Sequence, residues 1–334
     1  MSAHNRGVRY LDLDGRRLSV VGLGCWQFGE KQWGYGTEYS QADSLAVMQR
    51  ALELGVTVFD TAELYGSGRS EMLVGSALSS WEGERFLATK FLPIMPLPKV
   101  MLSHCERSLD RLQVPLVDLY QIHWPNPVVP LARQMAGMRQ ILAKGWSRYA
   151  GVSNFSLKRW IAAEAHLGQP VISNQVRYNL LQRRPESGLL EYAKQHSRLI
   201  LAYSPLAQGA LSGRYRAGQA PRDLRRANSL FTDTALSAAE PLLDTLREVA
   251  DAHHCSSSQV ALAYLISQPQ VIVIPGAKSI AQLESNVAAA DLQLEGDELL
   301  ALRRTADRFH YSRTRAATQV TGRLLPVRRS RGSS

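Results

Sequence analysis

Asp60 and Tyr65 stand five residues apart in Phe59-Asp60-Thr61-Ala62-Glu63-Leu64-Tyr65-Gly66, and two later apolar runs close on Lys90 and His123. A carboxylate, a phenol, an ammonium and an imidazole are together suited to delivering a proton. A free phenol, with a pKa of about 10, is a weak acid near neutrality. An adjacent ammonium stabilises the phenolate and lowers that value. Lys90 is expected to be that ammonium, Asp60 to hold it charged and oriented, and His123 to hydrogen-bond the oxygen of a reacting carbonyl. The four residue types point to carbonyl reduction with Tyr65 as proton donor.

Each of the four falls where an apolar strand surfaces. Val56-Thr57-Val58-Phe59 is a short β-branched and aromatic run after Gly55, so Asp60 is expected at the end of a buried strand. Gly66-Ser67-Gly68 is a turn that holds Tyr65 at the rim of a pocket before a helix begins at Ser70. Strands over 85–89 and 116–122 end on Lys90 and His123. Polar groups at the carboxyl ends of successive parallel strands mark the site of a (β/α)8 barrel or an open α/β sheet.

The alternation along the chain selects the barrel. Strands are predicted over 20–24, 56–59, 85–89, 116–122, 148–152, 171–176, 199–203 and 271–274. Between and after them, helical spacing predicts helices over 42–54, 70–79, 98–112, 130–144, 157–167, 187–196, 236–252 with a second piece to 265, and 280–289. About eight strand–helix units make a (β/α)8 TIM barrel. Val8 to Val20 alternates apolar and polar residues around Asp14-Gly15, a hairpin expected to plug the bottom. Gly22 and Gly24 raise a dinucleotide fingerprint, but its third glycine and its helix are missing. No Gly/Ser/Pro linker interrupts the pattern, so one domain is expected over 1–310, followed by a basic tail over 311–334.

Composition narrows the class further. The 334 residues are 45% hydrophobic, enough for a large core, and no apolar stretch approaches the roughly 18 residues needed to span a bilayer. Residues 1–7 hold no hydrophobic segment of the signal-peptide kind, and a cytoplasmic protein with no membrane partner is expected. Cys25, Cys105 and Cys255 have no spacing suited to zinc, and no metal is expected. The net charge is +10, yet Arg313, Arg315, Arg323, Arg328, Arg329 and Arg331 all follow residue 310 without an acid among them. Such an end reads as a mobile, solvated terminus and not as a nucleic-acid groove. The stretch 206–234, with Arg214, Arg216, Arg222, Arg225 and Arg226, reads either as a lid over the catalytic face or as a disordered basic loop.

The same residues carry a resemblance to a known family. FDTAELYG at 59–66, ATK at 88–90 and QIHWP at 121–125 look like the catalytic blocks of the aldo-keto reductases. GVSNF at 151–155, SNQ at 173–175, YSPLAQG at 203–209 and IPGAK at 274–278 resemble that family's cofactor-binding blocks, in the same order, from about Val20 to Asp291. The resemblance implies NADP(H) as cofactor. Ser153, Asn154 and Gln175 would then pair with the nicotinamide carboxamide, and the ring of Tyr203 would stack on the nicotinamide. Ser204, Leu206, Gln208 and Arg214 would meet the pyrophosphate, and Trp26 and Gly276 belong to the same cofactor set. Lys278, beside Ser279 and the start of a helix, makes an anion site for a 2′-phosphate. Gln282 would reach the ribose and Asn286 the adenine. Gln282 stands where many aldo-keto reductases carry Arg, which weakens the expected preference for NADP.

Trp26, Trp33, Tyr35 and Trp124 form an expected aromatic wall, with Trp33, Tyr35 and Trp124 as the substrate pocket. The resemblance thus implies an NADPH-dependent reductase of a small-molecule aldehyde or ketone, with the oligomeric state left open. It extends to a branch that includes potassium-channel β subunits. A nucleotide-binding regulatory subunit with little turnover is therefore the second reading.

Overall fold

Alternating apolar residues decide the architecture of the computed structural model, which describes residues 9–221 and 223–324. The chain divides into two units, Met1–Pro205 with Leu262–Gln293, and Leu206–Ala261 with Leu294–Ser334. In the first, β1 (Tyr10–Leu13) and β2 (Arg16–Ser19) pair antiparallel across Asp14 and Gly15, both at positive φ. There follow β3 (Leu23–Gly24), α1 (Gln41–Glu53), β4 (Val58–Asp60), α2 (Arg69–Leu78), β5 (Phe86–Phe91), α3 (Pro98–Leu112), β6 (Val117–Ile122) and α4 (Leu131–Ala143). Next come β7 (Ser147–Ser153), α5 (Leu157–Leu167), β8 (Val171–Arg177), α6 (Leu189–Gln195) and β9 (Leu199–Tyr203). The chain then builds α7 (Asp233–Ala252) in the second unit, and α8 (Ser257–Ile266) returns it to the first for β10 (Val271–Val273) and α9 (Ile280–Val287).

Strands β3 to β10 hydrogen-bond in chain order, all parallel, and a parallel bridge between Val21 and Val273 joins the first to the last. The first unit is a (β/α)8 barrel. The packing of β3 between its two neighbours explains the paired glycines: a Cβ on Gly24 would lie 2.6 Å from the Ile274 carbonyl oxygen at the closing seam, and one on Gly22 would lie 2.9 Å from that of Val58 on β4. Close approach of neighbouring strands requires them.

Period-two alternation positions the polar groups. Val58, Phe86, Ala88, Leu119, Leu199, Leu201 and Ile272 share one buried core cluster with Leu13 and Leu18 of the hairpin, which fills the amino-terminal end of the barrel. Two residues beyond Val58 comes Asp60, beyond Ala88 comes Lys90, beyond Leu119 comes Gln121 and then His123, and beyond Leu201 comes Tyr203. The inward faces therefore run from apolar to polar along each strand. Outward faces meet the helices: Trp160 of α5 is fully buried and its indole N–H donates to the Val171 carbonyl at 2.9 Å.

The second unit departs from the sequence expectation in two places. Over 206–234 the described residues form 3-10 turns, Ala207–Ser212, Leu224–Ala227 and Ser229–Phe231, and Arg225 pairs with Asp223 at 2.6 Å, so the disordered reading is replaced; Arg222 lies outside the described residues. After α10 (Gly296–Asp307), α11 (Arg313–Leu324) is a helix and no free tail. Ala316 is fully buried, Tyr311 and Ser229 hydroxyls lie 3.1 Å apart, and the Gln319 amide oxygen accepts from the Thr234 backbone at 3.3 Å. Residues 1–8 and 325–334, with Arg328, Arg329 and Arg331, lie outside the described residues. No helix among the described residues is long and apolar enough to cross a membrane.

Candidate active site

At the carboxyl end of the barrel strands, the Lys90 ammonium donates to Asp60 Oδ2 at 2.6 Å, to the Thr61 carbonyl at 2.8 Å and to the Tyr65 hydroxyl at 3.1 Å. All three donors of the ammonium are thereby used. Asp60 receives its other bonds at Oδ1, from Gln175 Nε2 at 2.7 Å and Gln121 Nε2 at 3.3 Å. The His123 ring lies 5.7 Å from that of Tyr65, edge to face. The structure thus brings together the four residues singled out by their chemistry.

Burial decides the protonation states. It pushes the Tyr65 phenol up, the Lys90 ammonium pulls the other way, and Asp60 adds to the rise; the net direction is upward. The expectation that Lys90 would lower the phenol below its free value is therefore reversed in this arrangement, because desolvation outweighs the neighbouring charge. Tyr65 stays protonated, the state a proton donor requires. For Lys90, burial alone would lower the pKa, but Asp60 and Tyr65 outweigh it and the ammonium is held charged. Burial, with the Lys90 charge second, holds His123 down at about 3, so its ring is neutral near pH 7 and suited to donating or accepting one hydrogen bond. His123 Nδ1 is buried without a hydrogen-bond partner.

A second layer escaped the sequence reading. Glu63 accepts from the Leu92 backbone N–H, its own N–H donates to the Lys90 carbonyl at 3.4 Å, and Glu63 Oε2 lies 2.7 Å from His104 Nδ1 on α3. Arg111 on α3 bonds the fully buried Glu71 at 2.6 Å, which also accepts from Thr89 at 2.6 Å. These bonds tie the turn carrying Tyr65 and the strand carrying Lys90 to the same helices. Gln121 was missed too, although it shares strand parity with His123.

Aromatic rings flank the centre unevenly. Trp26 packs 6.3 Å from Tyr65 and 5.0 Å from Trp33, while Trp124 lies 4.8 Å from His123, measured between ring centroids. Tyr35 has its ring contacts elsewhere, on Tyr39 and Arg69.

Comparison with known proteins identifies the family. The model of the Aldo/keto reductase family matches residues 20–307. The chain belongs to that family. As an aldo/keto reductase it is an oxidoreductase. It is 47% identical to the uncharacterized oxidoreductase Rv2298 of Mycobacterium tuberculosis over 303 residues, 90% of this chain and 94% of that one. With methylglyoxal reductase YeaE of Escherichia coli it shares 34% identity over 289 residues, 85% of this chain and 90% of the relative. An aldo/keto reductase of Klebsiella pneumoniae, solved with NADP and acetate, superposes with a TM-score of 0.69 at 32% identity, covering 86% of this chain and 91% of that one.

In this aldo/keto reductase the residues expected at the cofactor fall into separate groups. Ser153, Asn154, Gln175 and Tyr203 form one connected set. The Ser153 hydroxyl donates to the Gln175 carbonyl at 2.9 Å, Asn154 Nδ2 donates to Ser153 Oγ at 3.0 Å, and the Tyr203 hydroxyl donates to Asn154 Oδ1 at 2.9 Å. Asn154 is exposed at positive φ and Tyr203 is half-buried, while the Gln175 amide nitrogen is directed to Asp60. Ser204, also at positive φ, offers its carbonyl to Asn179 at 3.0 Å.

A second group follows β10. Lys278 pairs with Glu38 at 2.9 Å, its backbone N–H donates to Gln282 Oε1 at 2.9 Å, and Ser279 caps α9. Asn286 is buried and donates to the Gly276 carbonyl at 3.4 Å. Leu206, Gln208 and Arg214 belong to the second unit, where Gln208 accepts from Asn228 Nδ2 at 2.9 Å, Leu206 is half-buried and Arg214 is exposed.

Proposed function

We propose that this protein catalyses the reversible, NADPH-dependent reduction of an aldehyde or ketone to an alcohol. One observation carries the reading: a wholly buried ammonium bridges Asp60 and the Tyr65 hydroxyl at the carboxyl end of a parallel barrel. NADPH, when bound, supplies the hydride. Tyr65, protonated and next to Lys90, donates its proton to the carbonyl oxygen. Lys90 stabilises the phenolate that forms, and Asp60 with Gln121 and Gln175 keeps Lys90 in place. The neutral His123 hydrogen-bonds the carbonyl oxygen and orients it towards Tyr65.

The donor set suits such a cofactor. Asn154 presents an exposed amide and Tyr203 a half-exposed ring beside the strand ends, and Lys278 presents a cation at the capped start of α9. Ser153, Asn154 and Gln175 would hold the carboxamide, Tyr203 the ring, and Lys278 and Gln282 the ribose end. The Klebsiella relative holds NADP and the Escherichia relative is named for methylglyoxal reduction, which supports the choice of cofactor and of carbonyl chemistry.

The test is a turnover screen of the purified protein with NADPH and a broad set of aldehydes and ketones, followed by loss of reduced cofactor. Turnover with several carbonyls is expected. Tight nucleotide binding with no turnover across the set would instead favour a regulatory, nucleotide-binding subunit.

A further inference from the structure

Tyr65 is followed by Gly66-Ser67-Gly68, and all three residues hold positive φ, at 56°, 56° and 89°. At Ser67 this conformation is unfavourable, because in the left-handed region a Cβ crowds the following carbonyl oxygen. Backbone of this kind persists only where its surroundings over-determine it. The residue proposed to donate the proton is therefore attached to a turn that needs outside support.

The support comes from the loop after β3. The Cys25 N–H donates to the Asp60 carbonyl at 2.8 Å, and the Ser70 hydroxyl donates to the Cys25 carbonyl at 2.8 Å. Arg69 donates to the Gly29 carbonyl at 2.9 Å, and a Cβ on Gly66 would come within 2.8 Å of that carbonyl oxygen. Inside the turn, the N–H groups of Tyr65 and Ser67 donate to the carbonyls of Ala62 and Leu64 at 3.0 and 3.1 Å. The Gly66 N–H between them donates instead to Glu30 Oε1 at 2.7 Å, a length typical of a carboxylate acceptor.

Glu30 is itself fixed. Its N–H donates to the Gln27 carbonyl at 3.2 Å and its carbonyl accepts from the Trp33 N–H at 3.0 Å. The Gln27 amide donates to the Ala277 carbonyl at 3.0 Å and so ties the loop to the segment after β10. We propose that Glu30 is a positioning residue for Tyr65. From a separate loop it holds the peptide that follows Tyr65, so that the phenol hydroxyl stays within reach of the Lys90 ammonium, 3.1 Å away. It acts through the turn and not on the carbonyl. Misplacing a reacting group by about 1 Å can slow a reaction 10²-fold. This inference rests on the reading of Tyr65 as proton donor and adds a residue to it.

Glu30→Ala removes the acceptor, whereas Glu30→Gln keeps a side-chain oxygen at the same reach. Both are compared with the unmodified protein in single-turnover oxidation of NADPH, at saturating cofactor and with the best carbonyl from the screen. Glu30→Ala should slow this step by roughly 10- to 100-fold while the half-saturating carbonyl concentration changes by less than about threefold. Glu30→Gln should recover the rate to within about threefold. An unchanged rate in Glu30→Ala overturns the inference, and so does a loss of stability in urea with a normal rate in the folded fraction, which would leave Glu30 a structural anchor alone. Equal slowing in both variants overturns it in favour of an effect of charge.

The placement of Tyr65 is also read without turnover. Tyrosine carrying carbon-13 at Cζ is incorporated, and the Tyr65 signal is assigned by its loss in Tyr65→Phe. Glu30→Ala should shift or broaden that signal and speed hydrogen exchange at the Gly66 N–H, and Glu30→Gln should restore both. If the unmodified protein reduces no carbonyl, the reductase reading falls, and a shifted signal still supports Glu30 as the group that holds Tyr65. An unmoved signal overturns the positioning whether or not a carbonyl is reduced.

Discussion

Two lysine–carboxylate pairs in the barrel unit have similar lengths and opposite physics. Lys90 and Asp60 meet at 2.6 Å with 0% and 3% of their side chains exposed, whereas Lys278 and Glu38 meet at 2.9 Å with 31% and 63% exposed. Buried charges lose their water, so the first pair persists only because Gln121, Gln175, Thr61 and Tyr65 complete its hydrogen bonds. Its geometry is fixed from every side. The second pair is screened by water and contributes at most about 1 kcal/mol, so Lys278 can exchange its carboxylate for another anion. The first pair is held in one arrangement, and under the proposed function the second is the one that gives way to a ligand.

Breaking the buried pair should have the largest effect. Lys90→Met leaves Asp60 as an uncompensated buried carboxylate, and chemical denaturation should show a loss of roughly 3–5 kcal/mol. Turnover in the fraction that remains folded should fall by about 10²–10⁴. Stability close to that of the unmodified protein would mean that the pair does not bear on the fold as argued.

His123 sharpens the same point through pH. Its folded value of about 3 lies below the ordinary imidazole value of about 6.5. Between these limits the unfolded chain binds the extra proton, so the stability contribution is complete above about pH 6.5 and is lost as pH falls towards 3, at about 1.4 kcal/mol per pH unit. His123→Gln should lose less stability than the unmodified protein between about pH 7 and pH 5 in urea titrations. Identical acid slopes would place the imidazole in water.

The exposed pair should show smaller effects and a different readout. Lys278→Ala should remove most of an NADPH-over-NADH preference of about 1–3 kcal/mol, the range of a charge-assisted phosphate contact. Glu38→Gln should change stability by less than about 1 kcal/mol and tighten NADPH more than NADH, since the competing carboxylate is gone. Equal shifts for both cofactors in Glu38→Gln would mean that Lys278 does not face the phosphate.

The barrel was legible because each strand is a short apolar run and each helix keeps an apolar stripe, and because the polar residue at the end of a run follows strand parity. Parity also could have found Gln121, two residues before His123. Glu63, Glu71 and the α3 residues His104 and Arg111 were out of reach, since they come from three different segments that only packing joins. Beyond residue 290, Glu295 and Glu298 form a capping box, and Leu302 and Ala306 are both buried one turn apart, so α10 carried signals that were passed over. Helix α11 carried almost none: among its residues of described burial, Ala316 alone is buried, beside the exposed Arg313 and Arg315.

The central claim is that Tyr65 donates the proton while Lys90 and Asp60 hold it in place. Tyr65→Phe tests it most directly, because it removes one hydroxyl and keeps the ring. With the best substrate from the screen, single-turnover oxidation of bound NADPH should slow by roughly 10²–10⁴ with the NADPH dissociation constant unchanged, while stability falls by only about 1–3 kcal/mol because one buried Lys90 donor loses its partner. A Tyr65→Phe protein that reduces carbonyls at nearly the unmodified rate would contradict the account.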